Sequence, residues 1–165
     1  MNKCSLLYTP TLPDGTYELY VQGTDISGNA SALNSYTIDF EVINKSMITQ
    51  VLNYPNPFTT STRFVFTLTG EQIPSTFKIQ IMTVTGKIVR EINESEIGPI
   101  HIGRNITQYA WDGTDQYGSR LANGVYLYRV TTSVNGQSID EYQGYDGANV
   151  DQYFTKGWGK MYLMR

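Results

Sequence analysis

Apolar and polar residues alternate along much of this chain. Tyr17, Leu19 and Val21 alternate with Glu18, Tyr20 and Gln22, and Tyr36, Ile38, Phe40 and Val42 alternate with Thr37, Asp39 and Glu41. A period of two sends successive side chains to opposite faces, so both stretches predict strands with one face buried. Thr24-Asp25-Ile26-Ser27-Gly28-Asn29 between them is turn chemistry, which makes the pair a hairpin with a long loop. Asp14-Gly15 is a further turn signal just before the first strand.

A fuller series follows from Met47. Ile48 to Leu52 is a short apolar run, and Phe64, Phe66 and Leu68 share one face opposite Arg63 and Thr67. Thr69-Gly70-Glu71 turns the chain into Phe77, Ile79 and Ile81, which alternate with Lys78 and Gln80. Thr85-Gly86-Lys87 reads as a tight turn into Ile88-Val89-Arg90-Glu91-Ile92. Asn93 to Gly98 is polar and holds at most one helical turn, while Gln108 to Trp111 and Val125 to Val130 read as two more strands. No segment carries a helical period. Short strands joined by Gly- and Asn-rich turns predict an all-β protein of immunoglobulin-like sandwich type.

A hairpin is not stable alone in water. Residues 1–44 therefore read as the C-terminal strands of a truncated Ig-like domain, or as strands that pack on the next domain. Residues 45–52 form a linker or first strand, 53–130 an Ig-like β-sandwich, and 131–165 an acidic connector and terminal β tail. Leu12-Pro13-Asp14-Gly15-Thr16-Tyr17…Val21 echoes Leu121-Ala122-Asn123-Gly124-Val125-Tyr126…Val130 in its Leu, Gly, Tyr and final Val. That echo fits two related domains, and convergent turn chemistry would produce it as well.

Composition narrows the chemistry. A chain of 165 residues allows one ordinary domain, or a small one plus part of another. Aromatics make up 13%, most of them tyrosines, which favour half-buried pleated surfaces. The net charge of −3 is too small to imply a nucleic-acid partner. No run is long and apolar enough for a membrane helix, and Met1-Asn2-Lys3-Cys4 opens no secretory signal, so a signal for export would lie upstream. Asp140, Glu141, Asp146 and Asp151 form an acidic stretch, and Lys156, Lys160 and Arg165 follow as a basic edge strand. The lone Cys4 rules out an internal disulfide framework.

Candidate chemistry is sparse. His101 is the only histidine, and pairing it with Cys4 would have to cross a domain boundary. There is no Gly-x-Ser-x-Gly elbow, phosphate loop or histidine cluster, so the expectation is no active site, no cofactor and no metal. Asp112 with Asp115, and Asp25 with Asn29, offer too few oxygens for a calcium shell and read better as Asx turns. Trp111 and Trp158 raise a sugar-platform reading, against which stands ordinary core and interface filling. Tyr54-Pro55-Asn56-Pro57-Phe58 reads as a proline-stiffened, extended lead-in to a strand, with Phe58 as its buried anchor.

Tyr54-Pro55-Asn56-Pro57-Phe58, Val84-Thr85-Gly86-Lys87-Ile88-Val89-Arg90 and Trp111-Asp112-Gly113…Asp115…Gly118…Gly124-Val125-Tyr126 together resemble a known family. It is the C-terminal immunoglobulin-like, flagellar-hook-cap-like module of Bacteroidota type IX secretion proteins, and the resemblance covers roughly residues 50–130. With Gly15-Thr16-Tyr17…Gly28-Asn29 upstream and Lys156 to Arg165 downstream, the chain resembles the C-terminal end of a gingipain-like cysteine peptidase of the type IX sortase kind. The family's catalytic residues lie in a domain these residues do not match. The resemblance assigns structural roles to Tyr54, Pro55, Asn56, Pro57, Phe58, Gly86, Trp111, Asp112, Gly113, Asp115, Gly118, Gly124 and Tyr126. Sorting domains of the family end in a Gly-x-Tyr strand and a Lys-containing apolar strand, parts that Gly124-Val125-Tyr126 and Lys160-Met161-Tyr162-Leu163 would play. The long insert between them departs from a compact sorting signal.

The implied function is a non-catalytic accessory or docking module of an exported protein in the periplasm, at the outer membrane or on the cell surface. Its partners would be secretion-system or outer-membrane proteins, with Trp158, Lys160 and Tyr162 as candidate contacts and strand addition through the tail as one mode. Alternatives are a C-terminal sorting domain of a secreted enzyme or adhesin, and a carbohydrate-binding module.

Overall fold

The structure, a computed structural model, describes residues 5, 7–29, 36–138, 140–141, 154–155 and 158–165, with backbone alone at 137–138, 140–141 and 154–155. Cys4, Asp146, Asp151 and Lys156 lie outside the described residues. The chain divides into two compact units, Met1–Asn44 and Lys45–Arg165.

In the first unit, β1 (Gly15–Val21) and β2 (Tyr36–Val42) form the expected antiparallel hairpin, from Gly15 opposite Val42 to Val21 opposite Tyr36. Tyr17 stacks on Phe40 with ring centroids 5.8 Å apart. Asp25 makes the Asx turn: Oδ1 accepts the Ser27 and Asn29 amides at 2.9 and 2.8 Å, and Oδ2 accepts from Asn29 Nδ2 at 3.0 Å. The expectation of a buried face is corrected here. Leu19, Ile38 and Phe40 are 41%, 38% and 37% exposed, because among the described residues of this unit only two strands are present to share the burial.

The second unit is an all-β sandwich. Its first sheet has the order β10-β3-β4-β7, with β3 Met47–Tyr54, β4 Arg63–Thr69, β7 Gly103–Ile106 and β10 Asp140–Glu141. Its second has the order β11-β12-β8-β5-β6, with β5 Thr76–Thr83, β6 Ile88–Ile92, β8 Gly124–Val134, β11 Phe154–Thr155 and β12 Trp158–Leu163. β9 (Gln137–Ser138) folds back on β8 through Asn135-Gly136, whose φ of 51° and 80° suit a tight hairpin turn.

The inward faces of β4 and β5 are those the alternation marks: Phe64, Phe66 and Leu68 on β4 meet Phe77, Ile79 and Ile81 on β5, and Tyr126, Tyr128 and Val130 of β8 join them. The rings of Phe66 and Phe77 are 4.4 Å apart, and Phe64 meets Tyr128 edge-on at 5.0 Å. Each such fully buried side chain stabilises the fold by about 1.5–3 kcal/mol. Burial also raises the Tyr128 phenol well above its ordinary pKa.

The polar turn after β6 is α1, Glu94–Ile97, whose Glu96 carboxylate accepts the Asn93 amide at 3.2 Å. Glu94 reaches the amide of Phe77 at 3.1 Å and ties the turn to β5.

Three sequence readings are corrected. Gln108–Trp111 is a bend; the strand is β7, five residues earlier and in register with β4, and only Trp111 bridges to Thr62. The segment Tyr54–Phe58 leaves β3 instead of leading into a strand. It bends at residues 55–57 and is not extended, and its Tyr54-Pro55 and Asn56-Pro57 peptides are both cis. Finally, β8 runs past residue 130 to Val134, and the terminal segment, expected as a tail beyond the sandwich, supplies strand β12 within it.

Candidate interaction site

Motif residues far apart in sequence converge on β12. Phe58 is buried and bridges Leu163 in parallel, its amide donating to the Tyr162 carbonyl at 3.0 Å and its carbonyl accepting the Met164 amide at 2.9 Å. The Asn56 side chain pairs with the same strand, accepting the Tyr162 amide at Oδ1 and donating from Nδ2 to the Lys160 carbonyl, both at 3.0 Å. β11 covers the strand at Trp158 and Gly159. The edge of β12 away from β8 is therefore occupied from Trp158 to Met164, which closes it to strand addition. Tyr54, Pro55 and Pro57 are exposed around this junction.

Trp111 is fully buried against Phe58 at 5.5 Å and Tyr126 at 5.8 Å, and its indole N–H donates to the Thr114 carbonyl at 2.8 Å. It is core, and so unavailable as a sugar platform.

Asp112 and Asp115 are Asx turns. Asp112 Oδ1 accepts the Thr114 hydroxyl at 2.6 Å and its amide at 3.2 Å, and Asp115 Oδ1 accepts the Tyr117 and Ser119 amides at 2.9 and 2.8 Å. The Thr114 hydroxyl, first among several contacts, holds the Asp112 carboxyl below its ordinary pKa. Among the described residues no group of acidic, histidine or cysteine side chains is placed to hold a metal ion. Gly86 and Gly118 close their turns through amides that donate to Thr83 and Asp115 carbonyls, at 2.9 and 3.1 Å.

Arg165 finishes the corner, a residue the sequence marked only as a charge. Its guanidinium donates to the carbonyls of Asp112, Gly113 (3.1 Å) and Leu121 (3.3 Å). Its main chain forms a two-way pair with the Asn123 side chain at 3.0 and 2.9 Å. Gly113, at φ 75°, is required here, since a Cβ would stand 2.7 Å from that guanidinium and 2.8 Å from Leu163. The close approach of Gly159 was also missed: a Cβ there would sit 1.9 Å from Tyr128 Cζ.

Gly159, Met161 and Leu163 point inward, so Trp158, Lys160 and Tyr162 share the outer side of β12. Across the ladder Lys160 faces Leu127 and Tyr162 faces Val125. The Arg129 guanidinium lies 5.6 Å from the centroid of the Trp158 ring and covers one of its faces. The structure thus joins the three candidate contacts into one amphipathic surface with Val125, Leu127 and Arg129.

No known protein family matches the sequence, nor does any curated protein. Among solved structures, the fold is similar to the crystal structure of dimeric latent PorU from Porphyromonas gingivalis. The TM-score is 0.53 and the identity 21%; the match covers 94% of this chain and 13% of that one. The chain thus spans a small part of that protein's length, and the likeness is one of fold.

Proposed function

We propose that residues 45–165 are a non-catalytic docking module of an exported, type IX secretion-associated protein, the C-terminal part of a sortase-like cysteine peptidase. The observation that carries this reading is the likeness to PorU, a type IX secretion protein, across nearly the whole chain. The mode of contact is a strand face, since the β12 edge is already paired: Trp158, Lys160 and Tyr162 with Arg129 form the contact surface for a secretion-system or outer-membrane protein.

The test is delivery of a reporter fused to residues 45–165 in a bacterium with an active type IX system. The fusion is expected in the outer-membrane or surface fraction, and Lys160→Glu with Trp158→Ala is expected to reduce that at least tenfold while the melting temperature stays within a few degrees. Periplasmic retention of the unmutated fusion, or delivery indifferent to these substitutions, would sink the proposal. A sorting role is separated by the mass of the delivered reporter, because a cleaved sorting domain leaves the reporter without residues 45–165.

A further inference from the structure

The frame around β1 and β2 recurs, residue for residue, around β8 and β12. Gly15 opens β1 at φ 159° opposite Val42, and Gly124 opens β8 at φ 155° opposite Leu163. Tyr17 donates its hydroxyl to the Pro13 carbonyl at 3.0 Å, and Tyr126 donates to Ala122 at 2.7 Å, each reaching four residues back. Asp14 Oδ1 accepts the main-chain amide of Asn44 at 2.8 Å, as Asn123 Oδ1 accepts that of Arg165 at 3.0 Å. The Asn44 side chain donates to the Leu12 carbonyl at 3.2 Å, and that of Arg165 to the Leu121 carbonyl at 3.3 Å. These correspondences hold one offset along each strand, which repeated turn chemistry alone would not produce.

The two pairs differ in what covers them. Tyr126, Tyr128, Val130 and Met161 are between 0 and 7% exposed, closed over by the sheet that carries Val51 and Phe64 and by Phe58 and Trp111. The corresponding Leu19, Val21 and Phe40 are 41%, 46% and 37% exposed, and Ile38, opposite Leu19, is 38%.

We infer that β1–β2 is the closing strand pair of a second sandwich. Its apolar face is covered by the inner face of a sheet equivalent to β3–β4, carried on the same polypeptide outside residues 1–165. In the similar solved structure the matched stretch is 13% of a longer chain. Among the described residues, a second copy of the hairpin would bring only the same two strands, with no counterpart of the Phe58–Trp111 pair that seals the end of the second unit. The inference does not rest on the docking function.

Hydrogen–deuterium exchange tests it, comparing the 165-residue chain with the same chain extended along its own reading frame. Amides of 15–21 and 36–42 are expected to exchange at least roughly 100-fold more slowly in the extended protein, because a covered pair opens only with its domain. Leu19→Lys is expected to abolish that protection while leaving residues 45–165 unchanged. Equal exchange in both proteins overturns the inference, as does a mature protein that begins at Met1. Protection that rises with concentration in the 165-residue chain would identify a second copy as the cover and overturn it equally.

Discussion

The side-chain amide of Asn56 takes the place of a neighbouring strand for Tyr162, accepting its main-chain N–H while donating to the carbonyl two residues before it. A half-buried asparagine thus satisfies two main-chain groups at a sheet edge that would otherwise lie open.

Replacing Asn56 with Ala removes both bonds, and net values of about 1 kcal/mol each put the loss near 2 kcal/mol in urea unfolding. Asn56→Asp keeps the acceptor but sets a carboxylate against the Lys160 carbonyl, so it is expected to be no more stable than the alanine variant. An asparagine-to-aspartate change without effect would show that the donor half of the pair contributes nothing.

Gly159 is the tightest contact around β12. Gly159→Ala must displace the buried Tyr128 ring, at about 3 kcal/mol by the usual scale of overpacking. Combining it with Tyr128→Val is expected to give a loss well short of the sum of the two single losses, since the smaller side chain vacates the space. Additive losses in a double-mutant cycle would place the strain elsewhere.

Arg165 acts through its fork of donors. Arg165→Lys keeps the charge yet cannot reach the Asp112, Gly113 and Leu121 carbonyls together, so it is expected to behave like Arg165→Ala. Both variants should show amide exchange in residues 112–123 accelerated about tenfold, with β4 and β5 unchanged. Wild-type exchange in Arg165→Lys would mean that charge alone suffices.

Acid sensitivity should trace partly to Asp112. Its folded pKa lies below the unfolded value, so the charged carboxylate stabilises the fold above the unfolded pKa, and that contribution is lost as pH falls through the lower folded value. Asp112→Asn is therefore expected to flatten the fall in melting temperature between about pH 5 and pH 2. Parallel pH curves for the two proteins would exclude the carboxylate.

Alternation made β4 and β5 legible, because each has neighbours that demand a consistent inward face; it marked β1 and β2 as well, whose apolar faces are exposed among the described residues, and the turn at Thr85-Gly86-Lys87 announced β6. Asn93 and Gly98 marked the ends of α1 for similarly local reasons. β7 was displaced because Tyr109 and Trp111 look like strand residues, whereas the strand itself carries a buried polar Asn105 and exposed Arg104 and Ile106. Its inward position is held by Asn105, whose side chain satisfies main-chain groups of His101 and Gly103, and no hydrophobic period announces that. The corner around β12 was hidden for a different reason. Asn56, Gly159 and Arg165 act on groups dozens to a hundred residues away, so nothing beside them in the chain shows their role.

The bonding of Asn56 and Phe58 to Lys160, Tyr162 and Met164 also imposes an order of events. Met161 and Leu163 fill the core beneath them, so the core of the second unit stays open until the chain has been made as far as β12. A unit cut before that strand would leave Phe58, Tyr126 and Tyr128 without their cover.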